Sequence, residues 1–397
     1  MTALLVVPPK ADLVERRAAD VVRGYSDEGE HRTATAVDRA SANTLLARAR
    51  AAGAAPMLEP FEVSRVDPVA AFAEIDGRRI DGLPMFDAPF TGAAGITGRI
   101  GLVGSDRPIA WTRIAPNGEA ELRRMRDGSK HAAIVAVTVG GKTGLCPVNA
   151  AWFAQPFGPP VLQVSSEHLS AIDAAATQNR EVHLVTDVTR SRVSAVNVLA
   201  LVRGTEPSLP PVCVMTPRSG WHANASERGG GLVCWLETLR AVVGAKSRKT
   251  GRGPLRTVRF IASSGHELGH LGLHDFLHRN PTLARDAYAW VHFGANIGAS
   301  TGDTGMTPSD DWLRDAALRA LEPHGLGAIR QSPAEQTAGE AATIREQGGH
   351  FVSFIGRNDW FHNPRDVWPD VVDLKAIAAF ARAAGDLTLA LANATGA

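Results

Sequence analysis

From residue 195 onward, short apolar runs alternate with longer amphipathic ones, and this alternation constrains the fold more than any other feature of the sequence. The short runs are rich in Val and Ile and are bounded by Gly or Pro, which is typical of buried strands. The longer runs repeat their apolar residues at helical spacing. The predicted strands lie at 195–204, 211–217, 257–265 and 288–298, and the predicted helices at 229–245, 271–280 and 373–394. This alternation predicts an α/β fold, a mostly parallel, doubly wound sheet flanked by helices, with ligands at the carboxyl ends of the strands.

The preceding residues divide into a helical part and a part rich in short strands. Two helices separated by a polar loop are predicted over residues 11–53. From about residue 60, short runs rich in Val and Ile and broken by Gly and Pro indicate strands instead. We therefore predict a discontinuous α/β domain formed by residues 1–60 and 190–397, with a β-rich domain inserted at 61–189.

The charge balance and the cysteine content limit the classes of partner and compartment. A net charge of +1 gives no global field toward nucleic acid or an anionic membrane, and the basic run at 246–249 is expected to be a solvated loop. The N-terminal stretch lacks the pattern of a signal peptide, and no apolar run reaches the roughly 20 residues of a membrane span. Three cysteines without C-x-x-C spacing indicate free thiols. We expect a cytoplasmic protein without a nucleic-acid or membrane partner; its oligomeric state is open, a homo-oligomer included.

The stretch HELGH, residues 266–270, matches the H-E-x-x-H pattern of zinc proteases. On a regular helix, His266 and His270 would bind zinc and Glu267 would activate a water. The stretch follows a predicted strand, however, and each glycine beside or within it weakens a helix by about 1 kcal/mol. His270 also falls on one helical stripe with two later histidines, where packing is the alternative role.

Polar side chains follow predicted strands at two further places. Glu227 lies in a long polar segment after the strand at 211–217, and His362 lies in the segment GRNDWFHNPRDVW (356–368) before the last helix. With Glu267 they occupy three loops that can meet at one point, and two carboxylates with an imidazole suit zinc or a similar divalent ion. The structural alternatives are that Glu227 stabilises a helix start through the helix dipole and that His362 is a hydrogen-bonding surface residue.

These stretches occur in the order found in the di-zinc aminopeptidases, the family that includes aminopeptidase S, aminopeptidase Y and the glutaminyl cyclases. MTPRSGWHANASERGGGLVCWLETLR (215–240) resembles the family's G-A-H-x-D-S-W…G-A-x-D-x-x-x-G…L-L-E-L-A-R, and RFIASSGHELGHLGLHDF (259–276) resembles F-x-x-x-x-G-E-E-x-G-L-L-G-S. VHFGANIG (291–298) resembles N-L-D-M-I-G, and FHNPRDVWPDVVDLKAIAAF (361–380) resembles Y-H-T-P-x-D-T…V-D-x-x-x-L. The inserted segment resembles a protease-associated domain. The resemblance covers nearly the whole chain and implies a zinc aminopeptidase-like fold.

The departures from the family's pattern imply one metal ion where the family holds two. Two ligand positions of the first site carry Pro217 and Ala295, which cannot coordinate through their side chains. The resemblance leaves Glu227, Glu267 and His362 as metal ligands. The ion is expected to be zinc, with manganese or another transition metal as alternatives.

The resemblance also implies roles for the residues around that ion. His266 occupies the position of the family's general base, and an imidazole can act as a base near neutral pH; a ligand or structural role is the alternative. His222 is expected as a fourth ligand or a substrate contact. The remaining expected substrate contacts are Arg218, Trp221, Asn296 and Trp360, and a purely structural role is the alternative for each.

The activity implied by the resemblance is that of a single-metal hydrolase that cleaves an amide bond in a small molecule or peptide with a metal-activated water. The lost first site would have held the substrate's free amine, so an acylated amine, a small amide or an intramolecular cyclisation is favoured. Two alternatives remain open. One is a glutaminyl-cyclase-like enzyme, in which the substrate's own amine attacks the amide. The other is a non-catalytic member of the family used for binding.

Overall fold

The computed structural model describes residues 12–245 and 253–395; the N-terminal stretch and the basic run at 246–249 lie outside these ranges. The α-helices of the described residues are α1 Leu13–Asp27, α2 Ala36–Ala51, α3 Glu119–Arg126, α4 Leu169–Thr177, α5 Ala225–Gly244, α6 Leu271–Arg279, α7 Leu283–Asp286, α8 Asp311–Leu321, α9 Glu340–Glu346 and α10 Leu374–Ala392. The strands are β1 Met57–Ile75, β2 Arg78–Pro84, β3 Gly92–Leu102, β4 Ile109–Ile114, β5 Ala133–Thr138, β6 Val161–Ser165, β7 Glu181–Val202, β8 Val212–Pro217, β9 Val258–Ser263, β10 Ala289–Phe293, β11 Thr304–Pro308, β12 Arg330–Gln331 and β13 Phe351–Gly356. None of the described helices has the length and apolar character needed to cross a bilayer.

The central sheet has the strand order β7-β9-β8-β10-β13-β11-β12. Its middle is parallel, through the pairs β9–β8, β8–β10 and β10–β13. The flanking pairs β7–β9 and β13–β11 are antiparallel. The prediction of a mostly parallel α/β sheet is therefore confirmed, with antiparallel strands added at its edges.

Helices cover both faces of this sheet, as the alternating side chains of its strands require. In β8, Val214 belongs to the core beneath α1, α2, α5 and α10, whereas Cys213 belongs to the core beneath α6, α7 and α9. Because successive side chains of a strand point to opposite faces, a strand buried on both sides reads as an unbroken apolar run. This is why the stretch at 211–217 was recognisable from the sequence.

A second set of strands is formed by the segment between β1 and β7. The strands β3, β4, β5 and β6 pair in parallel, and β2 joins β6 in antiparallel fashion. This sheet has apolar cores of its own, which include Ile100, Trp111 and Leu162 on one face and Ile134 and Leu122 on the other. Its identification as a protease-associated domain stays a prediction.

The two sheets are joined by one antiparallel ribbon, β1 with β7. The pairing runs from Met57 opposite Leu199 to Ile75 opposite Val182, with a register shift between Pro68 and Ala70. The strand predicted at 195–204 is the second half of one longer strand here, β7. The predicted division of the chain at 60/61 and 189/190 stays a prediction, and both long strands run across those positions.

The loop between α1 and α2 is held by a buried histidine. His31 is fully buried, and its ring stacks on Tyr25 with 3.6 Å between centroids. Its Nε2–H donates to the carbonyl oxygen of Tyr25 at 2.8 Å. Burial lowers the pKa of His31 from 6.5 to about 3, although the hydrogen bond to Tyr25 opposes this shift. The folded protein therefore keeps His31 neutral at a pH where the unfolded chain would protonate it.

We expect His31 to make the free energy of unfolding depend on pH. Between 6.5 and about 3 the unfolded chain binds a proton that the folded chain does not, so stability falls as the pH falls, by about 1.4 kcal/mol per pH unit for one proton. The free energy of unfolding, measured with urea at several pH values in this range, should change less steeply with pH in His31→Gln by that amount. Glutamine keeps an N–H donor but does not titrate. Above about pH 7.5 the two curves should run parallel. Equal slopes at acid pH would contradict the assignment.

Candidate functional site

A cavity of about 970 Å³ lies at the carboxyl ends of the central strands. One wall consists of residues that follow β9, β10 and β13, among them His266, Asn296 and Phe361. The opposite wall comes from the second sheet, where Glu119 begins α3 and Trp152 lies in a turn. A doubly wound sheet is expected to bind ligands at this edge, and the cavity lies there.

Histidines and one buried glutamate cluster on the wall of this cavity. The ligand atoms of His266, His270 and Glu340 all lie within 4.8 Å of one another. His266 Nδ1 is 2.9 Å from Glu340 Oε1, and His292 Nε2 is 3.4 Å from Glu340 Oε2. We call His266, His270 and Glu340 the histidine–glutamate cluster. Two imidazoles and a carboxylate at this spacing can bind a divalent metal ion.

A tight reversal of the chain after β9 brings the two histidines of HELGH together. Residues 266–268 form a single 3₁₀ turn, and α6 begins only at Leu271. Between these, Gly269 and His270 are both left-handed, with φ of 76° and 60°. The rings of His266 and His270 are therefore 5.2 Å apart without a regular helix between them. The expectation that glycine breaks this helix is met, while His270, expected on a packing stripe, lines the cavity.

The protonation states of the cluster favour a cation. Burial lowers the pKa of His270 to about 4, so its imidazole is neutral at pH 7. Burial raises the pKa of Glu340, but the charge of His266 and its hydrogen bond to the carboxylate more than offset this, and the pKa lies well below its ordinary value. The cluster therefore presents a buried carboxylate beside imidazole nitrogens.

Glu227 and His362, two of the ligands implied by the resemblance, lie together deeper in the protein. Glu227 Oε1 is 3.5 Å from His362 Nε2, and His362 Nδ1–H donates to the carbonyl oxygen of Pro147 at 2.6 Å. A guanidinium lies beside them, since Arg228 Nη2 is 2.6 Å from Glu227 Oε1. Burial raises the pKa of Glu227, but the charges of Arg228 and His362 bring it down to about 2.

Glu267, the third implied ligand, has both carboxylate oxygens hydrogen-bonded to other groups. Oε1 accepts from the backbone N–H of Thr33 at 2.6 Å, and Oε2 accepts from the Ser219 hydroxyl at 2.8 Å. The same Ser219 oxygen accepts from the backbone N–H groups of Gly265 and His266. A metal-ligand role for Glu227, Glu267 and His362 stays a prediction.

The other residues named from the sequence are spread over several environments. Arg218 is fully buried and pairs with Asp38 at 2.7 Å, away from the cavity. Trp221 is buried against Phe86, and its indole N–H donates to Asn149. His222 Nδ1 lies 3.9 Å from Glu30 Oε1.

The two remaining predicted contacts are Asn296 and Trp360. Asn296 lines the cavity, and its amide donates to the carbonyl oxygen of Gly356 at 3.2 Å. Trp360 is partly buried, with Lys142 Nζ 5.6 Å from its ring centroid. We carry the substrate-binding prediction forward for Asn296, because it faces the space that a substrate would fill.

Glu340 was missed from the sequence because no element was predicted between 300 and 355. An acidic residue that follows a glycine and precedes apolar residues at helical spacing is a helix-start signal, and α9 does begin at Glu340. That signal predicts the helix but does not show what its first residue faces. The contact with His266 spans 74 positions of sequence and depends on the tertiary fold.

Comparison with known proteins supports the fold. No family model and no curated protein sequence matches this chain. Its structure is similar to BSAP, a zinc aminopeptidase from Bacillus subtilis, with a TM-score of 0.74, 17% identity, and 95% of this chain and 94% of that one covered. It is also similar to a peptidase M28 precursor from Shewanella amazonensis SB2B, with a TM-score of 0.74, 16% identity and 96% of each chain covered. For an aminopeptidase from Aneurinibacillus sp. strain AM-1, the TM-score is 0.72, the identity is 13%, and the coverage is 94% of this chain and 92% of that one. The predicted resemblance to zinc aminopeptidases is therefore confirmed as a likeness of fold.

We expect Gly269→Ala to destabilise the protein more than a matched change at Gly325. Both glycines are left-handed, with φ of 76° and 75°, so alanine costs about 1–2 kcal/mol at either position. A Cβ at Gly269 would also lie 2.4 Å from the carbonyl oxygen of Ala151, whereas no atom of the described residues lies within 4 Å of a Cβ at Gly325. Relieving that clash should cost about 1–3 kcal/mol more. Chemical unfolding of the two variants measures the difference, and equal losses would show that the approach to Ala151 is not tight.

Proposed function

We propose that this protein is a metal-dependent hydrolase that cleaves an amide bond in a small molecule or peptide, with one divalent ion held by the histidine–glutamate cluster. The observation that carries the proposal is the convergence of His266, His270 and Glu340 within 4.8 Å on the wall of a cavity of about 970 Å³. Two histidines and a glutamate form a known catalytic zinc set, which leaves a fourth position for water or substrate. Zinc is our first choice, with manganese or another transition metal as alternatives.

The residues fit such an ion in their charge and in having a buried ligand atom without a hydrogen-bond partner. The cluster offers one carboxylate, and the imidazole of His270 is neutral at pH 7. Within the described part of the chain, Glu340 Oε2 is buried without a hydrogen-bond partner. His292 Nε2 lies 3.4 Å from that oxygen, and its Nδ1 is 2.8 Å from the Ser353 hydroxyl. Contacts of this kind orient a metal-binding carboxylate from behind.

A bound ion would polarise the substrate carbonyl and lower the pKa of a water. Glu119 is our candidate for accepting the proton of such a water, because it lines the same cavity and lies near enough to His266 for the charge of that ring to act on its pKa. Burial raises its pKa, despite the opposing effect of His362 and His266, and a carboxylate with a raised pKa is a better base near neutral pH. The Asn296 amide is positioned to bind a polar group of the substrate.

This proposal changes the roles suggested by the resemblance. His266 becomes a ligand, where the resemblance implied a general base. The competing proposal keeps His266 as the base and places the ion on Glu227, Glu267 and His362, with His222 as a fourth ligand. Two observations favour that reading. Within the described residues, both Glu227 carboxylate oxygens and His362 Nε2 are buried without a hydrogen-bond partner. The Glu340 carboxylate also lies against His266 Nδ1, and a carboxylate can orient a basic imidazole. The two proposals predict that the metal ion is lost from different variants of the protein.

We expect the purified protein to hold about one zinc ion per chain, lost in His270→Asn and in Glu340→Gln. His274→Asn is the matched control, since His274 lines the same cavity but is not one of the three clustered groups. Elemental analysis after dialysis against metal-free buffer gives the content, and thermal melting with and without added zinc gives a second readout. Retention of zinc in both cluster variants, with its loss in His362→Asn, would favour the competing ligand set.

We expect Glu119→Gln to lower kcat for amide hydrolysis by about 10²–10⁴-fold without changing the metal content, because it removes a proton acceptor and leaves the ligands intact. Glu346→Gln is the control, as Glu346 also lines the cavity. Substrates with a free and with an acylated α-amine should be tested in parallel. Ammonia release with a cyclic product would indicate the glutaminyl-cyclase-like alternative, and bound metal without turnover would indicate a binding protein. Equal activity of Glu119→Gln and wild type would remove Glu119 from the mechanism.

A further inference from the structure

A fully buried guanidinium occupies the place where the resemblance expects a metal ion. Glu227 and His362 face each other at 3.5 Å, and Arg228 Nη2 is 2.6 Å from the same carboxylate oxygen. None of the three side chains has measurable exposure. The Arg228 side chain is therefore an internal cation beside the same Glu227 oxygen that faces His362.

The surroundings of Arg228 hold it in place. Its Nε–H donates to the backbone carbonyl oxygen of Ser219 at 2.8 Å. The Ser219 hydroxyl in turn donates to Glu267 at 2.8 Å. The guanidinium thus lies in one network with both acidic residues of the implied metal site. Moving it aside would leave a buried charge without its partner, which is strongly unfavourable.

A divalent ion does not fit beside this guanidinium. An ion bound to Glu227 Oε1 would lie within a few ångströms of Arg228 Nη2, and the repulsion between two cations is strong in a buried, weakly screened position. Glu267 already accepts one hydrogen bond on each carboxylate oxygen, from the Thr33 N–H and from the Ser219 hydroxyl, and both bonds tie it to neighbouring residues. Within the described residues, both Glu227 carboxylate oxygens, His362 Nε2 and both Nη atoms of Arg228 are buried without a hydrogen-bond partner, so the guanidinium balances this site by its charge and its 2.6 Å contact with Glu227.

We infer that the Arg228 guanidinium replaces a metal ion between Glu227 and His362, so that this site is a metal-independent anchor between α5 and the loop that carries His362. The loop is tied on its other side to the second sheet's segment, since His362 Nδ1–H donates to Pro147. An anchor made of side chains keeps the loop in place whether or not metal is available. Metal binding elsewhere in the chain rests on the proposed function, but the anchor does not.

The test is to remove the guanidinium and count metal ions on the full-length protein. Arg228→Ala leaves Glu227, His362 and Glu267 without the internal cation, and we expect it to bind one more Zn²⁺ per chain than the wild type in calorimetric titration and elemental analysis. Arg228→Lys, which keeps a positive charge, should gain none. In Arg228→Ala with His362→Asn, the additional ion should be lost again.

The complementary variants test the wild-type site directly. Glu227→Gln and His362→Asn, each with Arg228 intact, should leave the wild-type zinc content unchanged. Loss of zinc in either variant would overturn the inference, and so would a folded Arg228→Ala that gains no ion. If Arg228→Ala does not fold, anomalous scattering from wild-type crystals soaked in ZnCl₂ decides: a peak between Glu227 and His362 overturns the inference, and its absence supports it. Because the readout is a difference from the wild type, it is independent of whether the histidine–glutamate cluster binds zinc.

Discussion

The antiparallel ribbon of β1 and β7 is the interaction on which the rest of the structure depends. One end of β7 pairs with β9 of the central sheet, and its other end pairs with β3 of the second sheet. The ladder between β1 and β7 is continuous apart from the shift at Pro68 and Ala70. The cavity lies between walls that this ribbon joins, so the site exists because two strands are long enough to serve both sheets. The cluster of His266, His270 and Glu340 contributes chemistry to a space that the ribbon defines.

Buried arginines form ion pairs inside the protein. Arg126 pairs with Asp87, Arg218 with Asp38, and Arg228 with Glu227, each at 2.6–2.7 Å and each with both side chains almost completely buried. The first pair lies in the second sheet's segment, and the second joins the end of β8 to α2. Removing one partner of such a pair costs about 3–5 kcal/mol, because the other charge is left buried and unpaired. The Arg126–Asp87 and Arg218–Asp38 pairs cross-link segments distant in sequence without a metal or a disulfide, whereas Arg228 and Glu227 are neighbours on α5.

The sequence predicted those parts of the structure that depend on residues close together in the chain. The unbroken apolar run at 211–217 shows that β8 is buried on both faces, and the glycines around HELGH show that no regular helix passes through it. The partners of buried charges have no comparable local signal. Glu340 contacts His266 only because α9 packs beneath the same end of the sheet. Arg228 has the sequence pattern of an ordinary helical residue, and only the folded structure places its Nη2 2.6 Å from Glu227 Oε1. The family pattern could indicate which ligands were lost, but not that a neighbouring side chain had filled the space.

The register shift between Pro68 and Ala70 has a consequence for the shape of the cavity. A bulge bends a strand and increases its twist, and this one lies where the ribbon passes from one sheet to the other. The angle between the cavity walls is therefore built into the hydrogen-bonded backbone rather than left to a hinge. Insertion or deletion of one residue at this shift would therefore change the angle between the two walls without altering any residue that lines the cavity.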